Sequence, residues 1–396
     1  MFGARRAGLM AMAMAGGVLC GCVVAPPSCA PPPAAPTPRV EYSPARWSDL
    51  PGWAADDLTQ AWPAFLASCR AVGRRAPWRV PCAAARGAGP TSNGARRFFE
   101  RYFEPYRLIS RVGRQAEGQG LITGYFEPLL YGSRTRTPQF DTPLYSPPPD
   151  LLTVDLASVY PELAGVRVRG RLAGNKIVPY YSRATLARDP ALAGHVIAWV
   201  GNALDAFFLE VQGSGRVELP DGTTLRLHYA DENGYPYRSI GRFLVEQGDL
   251  TPAEATMAGI RGWAFAHPDR VTALLDEDPS VIFFRAEPLG DPARGPPGSL
   301  GVPLSAGRSI AVDPGVVPLG APVFLSTTFP GTGAPLQRLV IAQDTGGAIR
   351  GAVRADLYWG TGASAAAAAG AMRQSGSLWL LWPKEAPLPR AQPPAD

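Results

Sequence analysis

"QDTGGAIRGAVRADLYWGTG", residues 343–362, sets two carboxylates, Asp344 and Asp356, in a glycine-rich run directly after "LQRLVIAQ". That preceding run reads as a buried strand, short and apolar with β-branched residues at its centre. A strand that ends in Asp-Thr-Gly-Gly brings a carboxylate to the mouth of a cleft. Three readings follow: a tight structural turn, half of an acid protease, or the acid of an enzyme that cuts sugars. The protease needs two such tripeptides whose carboxylates share one proton about 3 Å apart. A two-lobed chain of this length should carry both, yet no second Asp-Thr-Gly or Asp-Ser-Gly occurs in the 396 residues. A symmetric dimer would supply the partner, but chains of that kind are far shorter.

The rest of the chain narrows the choice. Its length suits two domains with sizeable cores. With 44 glycines and 43 prolines it favours short strands and turns over long helices. The net charge of +5 is spread out, and no stretch alternates Lys or Arg with aromatics as a nucleic-acid groove does, so no nucleic-acid partner is expected. The three histidines, His195, His228 and His267, are scattered and none lies near a cysteine pair, so no metal site is expected.

The N-terminus, "MFGARRAGLMAMAMAGGVLCGC", has Arg5 and Arg6, an apolar run from Ala7 to Leu19, then small residues. The run is too short to span a bilayer and suits a signal peptide over residues 1–21. Leu19-Cys20-Gly21-Cys22 resembles a bacterial lipobox, which makes Cys22 the expected acylation site; a plain secretory signal cleaved nearby is the alternative. Residues 22–45, rich in Pro and Ala, read as a semi-rigid tether. Val23, where an Asp would direct retention, matches sorting to the outer membrane. The expectation is a lipid-anchored protein on the periplasmic side of that membrane, or one free in the periplasm if the lipobox is unused. In that oxidising compartment Cys69 and Cys82 are expected to pair, worth on the order of 3 kcal/mol. Two separate buried thiols are the alternative.

Residues 46–130 read as helical first, with Asp57 as a helix cap and Phe98, Phe99, Tyr102, Phe103 and Tyr106 at helical spacing as a core stripe. "GLITGYFEPLLYGS" reads as a strand ending in a Gly-Tyr-Phe-Glu-Pro turn. From 131 to about 285 the chain reads as short strands, including "VIAWVGNALDAFFLEVQGSGRVELPDGTTLRLHYA" and "NGYPYRSIGRFLV", with Asp221-Gly222 as a hairpin turn and helical pieces near the end. Residues 290–301 read as a loop or linker, 302–382 as short strands again, and 383–396 as a disordered Pro-rich tail.

A third aspartate joins the first two: Asp313 in "AVDPGVVPLG". Together with "TGYFEP" (123–128), "YYSRA" (180–184), "VQGSGR" (211–216) and "GYPYRSIG" (234–241), the ordered aspartates resemble the membrane-bound lytic murein transglycosylase A family, from about residue 46 to 382. The chain departs from it in its lipobox and in the last residues of the "GYFEP" turn. The resemblance implies an α+β, mainly β fold: a double-psi β-barrel catalytic domain of residues 46–129 plus 286–382, its 3D portion at about 302–382. A second β-rich domain, residues 130–285, is inserted in it, with a cleft between the two. It implies a peptidoglycan exotransglycosylase, a lyase of cell-wall turnover that needs no cofactor. Such an enzyme cleaves the β-1,4 MurNAc–GlcNAc bond without water and leaves 1,6-anhydroMurNAc ends. Its partners would be glycan strands, the membrane through the N-terminal lipid, and other cell-wall enzymes.

The chemistry fits the carboxylate count. Ordinary glycosidases need two acidic groups. If the nucleophile is the substrate's own 6-hydroxyl, one carboxyl group can serve as acid and then as base. By resemblance Asp356 takes that role, and Leu357, Tyr358 and Trp359 would supply the apolar surroundings that keep it protonated. Asp344 is expected to support it, by binding sugar hydroxyls, tuning Asp356 or capping the Gly-Gly turn. Asp313, before Pro314 and Gly315, reads as a structural turn residue. Thr123, Tyr125 and Glu127 are expected to line the cleft and meet substrate. Gln212, Ser214 and Arg216 alternate as if on one strand face, suited to glycan amides and carboxylates. "YPYRSIG" reads as a helix start capped by Ser239. Two other classes stay open: a non-catalytic wall-binding barrel, and a hydrolase using Glu127 or Asp344 as its second carboxylate.

Overall fold

The computed structural model describes residues 39–87, 91–160, 163, 168–188 and 190–390. The expected signal, Cys22 and most of the tether lie outside the described residues. The tether nonetheless ends sooner than residue 45, because Arg39–Pro44 is a strand paired antiparallel with Phe103–Val112.

The strand Pro335–Asp344 contains "LQRLVIAQ" and is buried without a break from Leu339 to Gln343. It pairs antiparallel with Pro322–Thr328 and parallel with Ser309–Val312. Ser309–Val312 pairs antiparallel with Ala355–Thr361, which runs parallel to Gly120–Glu127. Arg373–Pro383 then pairs with Pro322–Thr328 through its second half and with Gly120–Glu127 through its first, so the hydrogen-bonded path returns on itself. Such strands are buried on both faces, which explains runs as apolar as Ser309–Val312. "TGYFEP" is therefore strand up to Glu127, and only Pro128 turns the chain.

Two helices, Trp62–Val72 and Ser92–Tyr102, close one side of this body. Trp62, Phe65, Phe98, Phe99 and Phe103 interlock there, with ring centroids 4.9–6.2 Å apart in the T-shaped and tilted arrangements that aromatic quadrupoles favour. The aromatic stripe is core, but the helix stops at Tyr102, and Phe103 and Tyr106 belong to the next strand. Pro105 explains the break: it bars Glu104 from helical backbone and offers no N–H of its own. A disulfide between Cys69 and Cys82, Cα atoms 5.3 Å apart, ties the first helix to Arg79–Ala85.

Between residues 129 and 288 a second sheet has the strand order Ile282–Pro288, Thr224–Glu232, Ser214–Glu218, Leu129–Ser133, Val196–Val200, Thr142–Tyr145, and Leu152–Val154, Val168–Ala173 and Lys176–Val178 form a separate small one. The hairpin at Asp221-Gly222 joins two strands of the second sheet, with Gly222 at φ +80°. Segments expected as strand are helix in the regions of both larger sheets, Gly362–Ala371 within the 302–382 run among them. Ala203–Gln212 starts at Asn202, whose side chain accepts from Leu204 N and Asp205 N, and stops at Gly213, in the left-handed region. Ile240–Gln247 starts at Ser239, which caps Arg242 N as its motif suggested.

Candidate active site

The site is built on one strand pair. Asp356 lies opposite Thr123, and Tyr358 opposite Tyr125. Because side chains alternate across a strand, Asp356 and Tyr358 share a face with Thr123 and Tyr125. Thr123 Oγ1 donates to Asp356 Oδ1 at 2.7 Å, and Arg354 Nη1 donates to Thr123 Oγ1 at 2.9 Å. The Tyr125 and Tyr358 rings stand 5.3 Å apart. Tyr125 Oη donates to Asp344 Oδ2 at 2.9 Å, so the two aspartates are linked through alternate residues of one strand. Gly124 lets this pair close: a Cβ there would sit 2.5 Å from Trp359 Nε1.

Asp344 is held from several sides. Its Oδ1 accepts from Ser299 N (2.9 Å), Ser299 Oγ (2.8 Å) and Thr345 N (2.9 Å). Ser299 comes from the segment expected to be a mere linker. Asp313 has the structural place expected of it: Oδ1 accepts from Gly315 N at 3.0 Å and Oδ2 from Gly351 N at 2.8 Å. It thereby pins the loop that runs from Asp344 to Asp356.

Burial sets the electrostatics. It pushes the Asp356 carboxyl up to about 6, with the Thr123 bond and the Arg354 charge pulling down and the Asp344 charge adding to the rise. Leu357 and Tyr358 are fully buried beside it and Trp359 partly so. Asp344 is also raised by burial, against the donors of Ser299, Thr345 and Tyr125. Tyr125 stays a phenol, because burial and then the Asp344 charge hold its proton far above the usual range.

Glu127 departs from expectation. It is fully buried, and both of its carboxylate oxygens are taken: Arg216 Nε donates to Oε2 at 2.9 Å and Arg226 Nε to Oε1 at 3.0 Å. A carboxylate so placed contacts protein, not sugar. The same arginines reach the 290–301 segment, Arg216 through Pro292 O at 2.9 Å and Arg226 through Arg294 O at 2.5 Å. Gln212, Ser214 and Arg216 do not line one strand face, because Gln212 ends a helix and Gly213 turns the chain before Ser214. Gln212 Oε1 accepts from Phe126 N at 3.0 Å, and Ser214 is buried. "VQGSGR" thus wires the second sheet to the Glu127 strand.

Sequence reasoning missed Arg354, Ser299 and Arg226. Arg354 stands two residues before Asp356, the spacing that puts both on one strand face. Arg226 lies opposite Arg216 in the Asp221-Gly222 hairpin, so its position followed from the hairpin register. Ser299 carried no signal in "GPPGSLG".

The family model for the MltA specific insert domain matches residues 121–285, and the model for the 3D domain matches residues 308–382. Membrane-bound lytic murein transglycosylase A of Escherichia coli (strain K12) is 31% identical over 276 residues, 68% of this chain and 67% of that protein. The crystal structure of MltA from Neisseria gonorrhoeae in its monoclinic form is similar with a TM-score of 0.76 at 34% identity, covering 91% of this chain and 98% of that one. The lytic transglycosylase LtgG of Burkholderia pseudomallei is similar at 45% identity with a TM-score of 0.57, covering 89% and 100%.

Proposed function

Because the chain belongs to the membrane-bound lytic murein transglycosylase A family, we propose that Asp356 alone serves its reaction as general acid and then as general base. The protein is a peptidoglycan lytic transglycosylase with a strand-rich α+β fold. In the step we assign, Asp356 gives its proton to the oxygen between MurNAc and GlcNAc as the bond from that oxygen to the anomeric carbon breaks. The MurNAc 6-hydroxyl oxygen bonds to the same carbon, and its proton passes to the Asp356 carboxylate. The proton count is restored, and no water enters.

The observation that carries this reading is the state of the carboxyl groups. Asp356 is partly exposed and pushed up to about 6. Asp344 and Glu127, the candidates for the second carboxylate of a hydrolase, both have each oxygen engaged by protein donors. We therefore assign Asp344 to support, through its charge and its bond from Tyr125, and Thr123 and Tyr125 to the wall of the site. An acid that must be protonated in the free enzyme makes kcat/KM fall as pH rises through about 6. A profile flat from pH 5 to 8 would remove Asp356 from the acid role.

Two further assignments rest on sequence and pairing. The interleaved strands support a discontinuous catalytic domain, residues 46–129 with 286–382, around an inserted domain of 130–285. The charged start, apolar run and Leu19-Cys20-Gly21-Cys22 support acylation at Cys22 and attachment to the periplasmic face of the outer membrane. Cys22→Ala is expected to move the protein from the membrane to the soluble periplasmic fraction with its activity intact. A variant that still sediments with membranes would sever the anchor from Cys22.

A further inference from the structure

We infer that Arg354 is a positioning residue that decides which oxygen of Asp356 carries the transferable proton. The inference rests on Asp356 being the acid. A guanidinium has donors and no acceptor. Thr123 Oγ1, 2.9 Å from Arg354 Nη1, must therefore accept there and turn its own hydrogen elsewhere. Asp356 Oδ1, at 2.7 Å, receives it. An oxygen that accepts this bond is the carbonyl oxygen of the protonated acid, so the proton resides on Oδ2. Oδ2 makes no hydrogen bond among the described residues, and Asp356 is partly exposed.

Without Arg354 the hydroxyl could reverse. It would accept a proton held on Oδ1, and that proton would be tied into the strand pair instead of offered to a leaving oxygen. A plainer role is also on view, since Nη1 donates to Ala355 O at 2.7 Å and Leu121 O at 3.3 Å, carbonyls at the start of the strand pair. The two roles separate by experiment.

The charged and titratable groups around Asp356 are few. Tyr358 comes from its own strand, Arg354 from the residue just before that strand, Tyr125 from the neighbouring strand and Asp344 from the Pro335–Asp344 strand. Arg373, exposed, lies opposite Thr123 on the next strand. The strand Ser309–Val312 and the helix Gly362–Ala371, which also pack here, bring none. Arg354 is thus a cation that draws the Asp356 carboxyl down.

The test is the pH profile of kcat/KM on purified murein for Arg354→Met, Arg354→Lys, Thr123→Val and the Arg354→Met/Thr123→Val pair. Arg354→Met is expected to move the descending limb above its wild-type position while lowering the acid-side plateau about tenfold, the worth of one charge-assisted hydrogen bond. Arg354→Lys keeps a charged donor without an acceptor and is expected to restore the limb and most of the plateau. The pair is expected to fall no further than Thr123→Val alone, because Arg354 acts through that hydroxyl. If Arg354 only caps carbonyls, Arg354→Met still shifts the limb through its lost charge and lowers thermal stability, but any loss of the acid-side plateau adds to that of Thr123→Val. That outcome overturns the inference. Should Arg354→Met fail to fold, a Lys variant with the limb displaced and the plateau unrestored overturns it equally. A wild-type enzyme without the limb is a different failure, that of Asp356 as acid.

Discussion

Replacing Asp356 by Asn is expected to lower the rate of murein solubilisation by about 10³–10⁴-fold with little change in binding to the insoluble polymer. The amide keeps an acceptor for Thr123 but has no proton for the leaving oxygen and no base for the 6-hydroxyl. One group serves both halves of the reaction, so both halves are lost together. Asp344→Asn is expected to cost less, since the substitution alters a charge and a bond from Tyr125 but removes no transferred proton. The Asp356 variant also bears on stability. The folded protein holds the Asp356 proton more tightly, up to about 6, than the ordinary 3.8. The stability that Asp356 contributes is therefore fully present below pH 3.8 and lost as pH rises through about 6. Asp356→Asn is expected to be more stable than wild type at neutral pH, on the order of 1–2 kcal/mol once solvent at the open side is allowed for. That advantage should vanish in acid. Urea unfolding at pH 7.5 and pH 4 reads both ends, and wild-type activity in the Asn variant would transfer the acid role to Asp344.

Glu127→Ala is expected to destabilise the protein by about 3–5 kcal/mol, a large share of the stability of an ordinary domain. The carboxylate is fully buried between Arg216 and Arg226, themselves nearly covered. Removing it leaves two nearly covered guanidinium groups without a counter-charge, each keeping a backbone carbonyl. The damage would also spread to catalysis. Those arginines hold the carbonyls of Pro292 and Arg294, and the same segment carries Ser299 to Asp344. Replacing all three charged residues by Met should recover part of the stability, because the penalty comes from uncompensated charge. A single Ala variant with an unchanged urea midpoint would mean that Glu127 is not buried as described.

The residues that were legible in sequence are those whose chemistry is local. The buried run "LQRLVIAQ" is the strand that delivers Asp344, and the Asp313 turn, the Ser239 cap and the Asp221-Gly222 hairpin stand where their side chains require. The helix Ala203–Gln212 had local signals as well, an Asn cap and a terminal Gly, but its apolar length beside true strands outweighed them. What stayed hidden depends on distant contacts. Nothing near Glu127 announces that its partners lie on two strands about 90–100 residues away. Its place at the junction of the two expected domains suggested a cleft, and the pairing is visible only in three dimensions. Phe103 and Tyr106 kept a helical spacing past the end of the helix, and Pro105 was the residue to heed.

Whether one carboxyl group works with the substrate's own hydroxyl is read from mass spectrometry of the soluble products from purified murein. Wild-type enzyme is expected to release fragments ending in 1,6-anhydroMurNAc and no reducing MurNAc ends. Asp356→Asn should release neither within the same time. Reducing MurNAc ends in the wild-type digest would contradict that mechanism, because they require water at the anomeric carbon.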